Sequence, residues 1–291
     1  MAFQRVAVTG GSGRLGRYVA RDLAATRTVT VLDRFPTPDG HPFLQTDIMD
    51  LPGLERALAG HDAVVHLAGI DMDFDVAEDA TMRVNALGTW HVLQAAEKLG
   101  IKRVVLCSSS CASGVNEARA DFPPAWLPVD ETHPNRPNTG YGVSKLIVEQ
   151  MGAAFARRGM EVLCLRPTLV MFEDIVAGVI ARAEDPALRT MFYYVTPEDT
   201  ARAFRLALDT ARPDPGPCFI TADDSCHPGP TRDWLRDRYD WMPPATDEAR
   251  YRDAPRASVF SNRRARELLG FAPTSDWLEI VAAHRARTAH R

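Results

Sequence analysis

No apolar run in the 291 residues approaches the roughly 18 needed to suggest a membrane span. The opening Met1-Ala2-Phe3-Gln4-Arg5 lacks the apolar stretch and cleavage site of a secretory signal. Cysteine is scarce: Cys107, Cys111, Cys164, Cys218 and Cys226 make an odd set of five with no Cys-x-x-Cys spacing. That pattern argues against a disulfide framework. It reads instead as reduced thiols in a cytoplasmic protein, with no metal site. Neither charge sign is in large excess. The net charge of −4 gives no reason to expect a nucleic-acid partner. Internal repeats and low-complexity tracts are missing too. Lysine is almost absent: Lys98, Lys102 and Lys145 are the only three among 34 basic residues. Each surviving lysine therefore invites inspection.

What is present is an alternation of short apolar runs and helix-period segments. Residues 3–8 read as a buried strand, followed by Leu15, Tyr18, Val19 and Leu23 on one helical face. Further strands are expected at 28–32, 43–45, 62–67, 104–107 and 161–165, with helices at 54–58, 76–99 and 139–158. Residues 113–138 carry five prolines and read as a loop. Beyond residue 167 a helix at 197–209 and a strand at 218–221 are expected to return to the sheet. The expected fold class is α/β: a Rossmann-type doubly wound parallel sheet with a small C-terminal substrate-binding cap. Residues 1–167 and 197–224 form the sheet domain in this reading. Residues 168–196 and 225–291 form the cap.

Thr9-Gly10-Gly11-Ser12-Gly13-Arg14-Leu15-Gly16 joins the first strand to the first helix. Glycines there permit a tight turn and let the backbone approach a pyrophosphate. The helix start supplies N–H groups and the positive end of its dipole. Asp33 lies 20 residues after Gly13, at the end of the second strand. A carboxylate at that place accepts hydrogen bonds from adenosine ribose hydroxyls and repels a 2′-phosphate, which favours NAD over NADP. Arg34 beside it is the complication, because an arginine can accommodate that phosphate.

Tyr141 and Lys145, in Tyr-Gly-Val-Ser-Lys, are four residues apart and share one helical face. A phenol with a pKa of about 10 is a poor base at neutral pH. A neighbouring ammonium lowers that value, and lysine also reaches a cofactor ribose as a compact donor. Ser108-Ser109-Ser110 closes the fifth strand at the carboxyl edge of the sheet, where open parallel sheets bind ligands.

These motifs together resemble the NAD-dependent epimerase/dehydratase family, the extended branch of the short-chain dehydrogenases/reductases. Thr9 to Gly16 is similar to the family's nucleotide loop, which makes Gly10, Gly13, Arg14, Leu15 and Gly16 cofactor contacts. Asp47-Ile48 resembles the adenine contact, and His66-Leu67-Ala68-Gly69 the strand beside the cofactor. Asn85-Ala86-Leu87-Gly88-Thr89 resembles a helix motif of the family, and Leu165-Arg166-Pro167 a strand ending. Residues 263–273, with Leu269-Gly270-Phe271, resemble its C-terminal motif. The resemblance implies that Ser109 is the catalytic serine, with Ser110 as the fallback. It also implies hydride transfer: Tyr141 handles the proton, Ser109 holds the reacting oxygen, and Lys145 holds the ribose and tunes Tyr141.

The chain departs from the nucleotide-sugar members at Thr168-Leu169-Val170, where Leu169 replaces their usual asparagine. With the short cap, this points to a smaller, sugar-like substrate. Asp71, Ser110 and Thr168 are candidate substrate contacts. The acidic Asp71-Met72-Asp73-Phe74-Asp75 loop suits a neutral polyol better than a diphosphate. His133 could line the pocket, but a lone loop histidine is more often exposed. A nucleotide-sugar 4-epimerase is the second reading. An NADP-dependent carbonyl reductase and a non-catalytic NAD(P)-sensing regulator stand behind it. The resemblance implies a homodimer through the helices at 76–99 and 139–158.

Overall fold

The computed structural model describes residues 3–72, 75–115, 124–185, 187, 191–239 and 242–289. Seven strands form one parallel sheet in the order β3-β2-β1-β4-β5-β6-β7. They are β1 Arg5–Thr9, β2 Thr28–Asp33, β3 Phe43–Gln45, β4 Ala63–His66, β5 Arg103–Cys107, β6 Glu161–Pro167 and β7 Pro217–Ile220. Central strands of such a sheet are covered on both faces and need apolar residues at every position. Accordingly, Val6, Ala7 and Val8 of β1 and Ala63, Val64 and Val65 of β4 are all fully buried. Two apolar clusters sandwich the sheet. One joins β1 to helix α1 (Arg14–Ala24) and helix α7 (Pro197–Asp209). The other holds helices α2 (Leu51–Leu58), α4 (Gly88–Lys98) and α5 (Gly140–Arg157).

The strand order reverses between β1 and β4, which both border the first turn. A crevice therefore opens at the carboxyl ends of these two strands. The β7 strand returns to the sheet edge beside β6. A third apolar cluster lies beyond the sheet and draws on Val129, Tyr194, Phe260 and Trp277. Helix α6 (Glu173–Glu184) and helices α8 (Thr231–Arg238), α9 (Glu248–Asp253) and α11 (Trp277–Ala289) surround it. Helix α10 (Arg263–Leu269) packs back toward the sheet.

Two expectations need correction. The single helix read at 76–99 is three pieces: α3 (Glu78–Met82), a π-helical turn (Arg83–Leu87) and α4. A π turn adds a residue to the helical repeat and re-aims the side chains after it. His133 is buried, not exposed. Its Nε2 accepts the Ala125 amide at 2.8 Å and its Nδ1–H donates to the Pro134 carbonyl at 2.9 Å, so it closes the proline-rich loop. None of the five cysteines forms a disulfide. Among the described residues, no helix is long and apolar enough to cross a membrane.

Candidate active site

The Gly-rich turn is built by close contact. Gly10 has φ +72°, and a Cβ there would lie 2.5 Å from the Ala68 amide nitrogen. A Cβ on Gly16 would lie 2.1 Å from the Gly10 carbonyl oxygen, so only glycine lets α1 start this close against the turn that leaves β1. No side chain caps α1 at Gly13. The bond from the Arg17 amide to the Gly13 carbonyl begins the helix, so the amides of Arg14, Leu15 and Gly16 belong to its first turn. Asp33 faces this turn: its Oδ2 accepts the Ser12 amide at 3.1 Å. Arg34 is exposed beside it, its guanidinium 5.6 Å from the Phe35 ring centroid. Asp47 and Ile48 follow β3, and Ile48 packs against Gly88 at the start of α4. The Arg14 guanidinium leaves the turn, covers the Phe172 ring at 4.2 Å and pairs with Asp174.

Behind the turn, β4 ends in His66. The Thr89 hydroxyl donates its proton to the Asn85 carbonyl at 2.6 Å. His66 Nε2, 2.9 Å from that oxygen, must therefore be the donor, and Nδ1 accepts the Thr9 hydroxyl at 2.7 Å. Burial, and secondarily the Lys145 charge, hold His66 neutral with its pKa lowered to about 3. Leu67, Ala68 and Gly69 then run along the crevice. Asn85, inside the π turn, grips the next residue: it binds both the amide and the carbonyl of Ile70. Its Nδ2 also donates to Ser144 Oγ at 3.1 Å, and Ser144 donates to the Tyr141 carbonyl at 2.7 Å. Asn85 thus spends its amide on the protein, tying the strand-four loop to α5.

Helix α5 starts where Thr139 Oγ1 accepts the Gly142 amide at 3.1 Å, a cap worth about 1 kcal/mol. This places Tyr141 and Lys145 in its first two turns. The structure brings Ser109 to them: its hydroxyl lies close enough to Tyr141 to favour the ionised phenol. Ser109 Oγ also accepts the Cys111 amide at 3.2 Å, which orients it. Lys145 Nζ donates to the Cys107 carbonyl at 2.9 Å and stands 5.5 Å from the Tyr141 ring centroid. The ammonium therefore faces the ring rather than capping its hydroxyl. Burial, reinforced by the Asp71 carboxylate, pushes Tyr141 well above the usual phenol range, and the nearby Ser109 hydroxyl acts in the opposite sense. Cys107 is likewise raised by burial.

Ser110 is buried and lies near Tyr193, whose ionisation it favours against the cost of burial. Thr168 is buried just after β6, its hydroxyl 3.4 Å from the Ile220 carbonyl. Pro167, the last residue of β6, is buried. Asp71 is exposed on the loop that Asn85 clamps, while Asp73 and Phe74 lie outside the described residues. Sequence reasoning missed Ser108, Glu149 and the role of Arg166. Glu149 follows Lys145 by four residues, and that spacing on the helix of Tyr141 and Lys145 was the available signal.

The model of the NAD-dependent epimerase/dehydratase family matches residues 6–216. The chain belongs to this family. One similar family member, the L-arabinose 1-dehydrogenase (NAD(P)(+)) of Haloferax volcanii, is 32% identical over 216 residues. That match covers 72% of this chain and 84% of the dehydrogenase. The uronate dehydrogenase of Pseudomonas syringae is 28% identical over 170 residues, and the chain spans 58% of its length. Among solved structures, a short-chain dehydrogenase/reductase superfamily protein from Agrobacterium tumefaciens with bound NAD aligns at TM-score 0.75 and 25% identity. It covers 99% of both chains. The UDP-glucose 4-epimerase of Thermotoga maritima shares the fold at TM-score 0.70 and 20% identity, over 98% of this chain and 100% of its own.

Proposed function

We propose that this family member is an NAD-dependent dehydrogenase of a small polyhydroxy substrate, a free sugar in the first instance. The observation that carries the reading is the gathering of Ser109, Tyr141 and, one turn along, Lys145 at the end of β5, beside a glycine turn at the sheet's switch point. The residues of that turn fit NAD. The amides of Arg14, Leu15 and Gly16 suit a pyrophosphate, and the Asp33 carboxylate is aimed by Ser12 toward the place of a ribose. NAD, when bound, supplies the two-electron acceptor. Tyr141 receives the substrate hydroxyl proton, and Ser109 donates a hydrogen bond to the reacting oxygen. Lys145 keeps a positive charge beside the phenol and has two further donors for a ribose.

Asp71 sets the substrate's character. A carboxylate near Tyr141 accepts sugar hydroxyls and repels phosphate or a uronate carboxylate. The arabinose dehydrogenase relative supports an uncharged sugar. Residues 168–196 and 225–291 act as the cap over it. The five unbridged thiols support a cytoplasmic protein. A homodimer would form through α4 and α5. Leu87, just before α4, is 44% exposed, and Trp90 on α4 is 38% exposed with its ring packed edge-on against Phe155 of α5.

The test incubates purified protein and NAD with a panel of free aldoses, uronic acids and polyols, following the near-ultraviolet absorbance of the reduced cofactor. A signal with a neutral sugar is expected. Silence across the panel, with NAD shown to bind, would replace this reading with a nucleotide-sugar epimerase, whose cofactor is regenerated.

A further inference from the structure

Tyr141, Lys145 and Glu149 recur every four residues along α5, and each meets the end of β5. Tyr141 lies beside Ser109, Lys145 bonds the Cys107 carbonyl at 2.9 Å and Glu149 the Ser108 hydroxyl at 2.5 Å. Glu149 is also half of a buried ion pair. Arg166 of β6 clasps it with two nitrogens, each at 2.7 Å, and the two residues are 1% and 4% exposed. The same arginine reaches Asn135 at 3.1 Å, and its guanidinium stands 5.2 Å from the Phe219 ring centroid.

Stability does not account for such a pair. Taking both charges out of water consumes most of their mutual attraction, and two apolar side chains of similar volume commonly serve the fold as well. What the pair does provide is direction. A bidentate guanidinium–carboxylate fork fixes the carboxylate's plane, and a carboxylate so fixed holds a hydroxyl at one angle. Ser108 and Ser109 are consecutive, and Ser109 is in extended backbone with φ −157° and ψ 154°. Their side chains therefore point to different sides, and rotation of one carries the other.

We propose that the Glu149–Arg166 pair, acting through the Ser108 hydroxyl, is the positioning device that holds Ser109 in register with Tyr141. The inference rests on the roles proposed above for Ser109 and Tyr141. Three elements that carry the site, α5, β5 and β6, meet at this one carboxylate. Glu149, Arg166 and Ser108 are positioning residues and need touch neither substrate nor cofactor.

The decisive variant is Ser108→Ala. It removes one hydroxyl and leaves the ion pair in place, so folding and NAD affinity should hold. Turnover should fall about tenfold, in kcat rather than KM, because a small displacement of a catalytic group is enough to do so. The ascending limb of the kcat–pH profile for oxidation should move to higher pH, since Ser109 favours the ionised form of Tyr141. A merely structural hydroxyl would leave that limb where it was. The double variant Glu149→Met/Arg166→Met gives a second measurement. It should melt close to the parent yet keep the lowered kcat. Parental kcat and an unmoved limb in a folded Ser108→Ala protein would overturn the proposal, as would full kcat in a folded double variant. Tyr141→Phe is run alongside. If it is inactive while Ser108→Ala is fully active, the positioning role alone fails. If it stays active, the catalytic reading fails and takes the positioning role with it.

Discussion

Asn85 holds Ile70 from both sides: Oδ1 accepts the Ile70 amide at 2.7 Å, and Nδ2 donates to the Ile70 carbonyl at 3.0 Å. This closed pair stops the loop after β4 from moving relative to α5. Asn85→Ala would leave both backbone groups unpaired. A loss of about 1–3 kcal/mol is expected in urea unfolding, together with lowered turnover. Unchanged stability and turnover would show that the loop holds itself.

Tyr141 is raised by burial, so the phenol stays protonated at neutral pH and its basic form gains population as pH rises. The rate of substrate oxidation should therefore climb into the alkaline range, and the reverse reduction should decline there. Tyr141→Phe should lower turnover by roughly a hundredfold or more with NAD affinity kept. A pH-independent oxidation rate would speak against Tyr141 as the proton acceptor.

Removing the carboxylate of Asp33 deletes a charged acceptor at the edge of the glycine turn. Asp33→Ala should weaken NAD by about tenfold to a hundredfold, measured by titration of protein fluorescence. The same change removes repulsion toward a 2′-phosphate beside Arg34, so the NADP-to-NAD affinity ratio should rise. Equal losses for both cofactors would place the adenosine ribose elsewhere.

His66 makes stability depend on pH. Its pKa is 6.5 when unperturbed and about 3 in the folded chain, so the unfolded chain takes the proton first as pH falls. The contribution is complete above pH 6.5 and is lost between 6.5 and 3, at up to about 1.4 kcal/mol per unit. His66→Gln should show a shallower fall in urea midpoint over that window. Parallel curves would mean that other groups carry the acid sensitivity.

Trp90 and Leu87 should lie in the proposed subunit contact. Trp90→Glu is expected to convert a dimer into a monomer in sedimentation. A parent protein that already sediments as a monomer would dispose of the α4–α5 interface.

Much of the frame was legible because its punctuation is local. Strand β3 and helix α7 fall where their apolar spacing and flanking prolines predict. Tyr141 and Lys145 were legible because a helix repeat alone brings them together. The π turn was not. Residues 76–99 carry the same apolar period either way, and the partner that Asn85 of the wider turn meets, Ile70, lies on another loop. Nor could the three consecutive serines be told apart by type. They separate only once β5 ends and Ser108 meets Glu149, Ser109 meets Tyr141 and Ser110 meets Tyr193. Arg166 reads only as part of a strand ending and Glu149 as one helix residue among others until α5, β5 and β6 bring them together.

The scarcity of lysine has a practical side. Lys145 is buried in the site, whereas Lys98, at the end of α4, and Lys102, just before β5, are both exposed. Those two amines sit at the amino ends of the strands, across the sheet from Ser109 and Tyr141. Amine-directed coupling to a bead or electrode would therefore grip the molecule by its base and leave the crevice facing the liquid. An arginine-rich surface that is inert to such reagents turns a random chemistry into an oriented one.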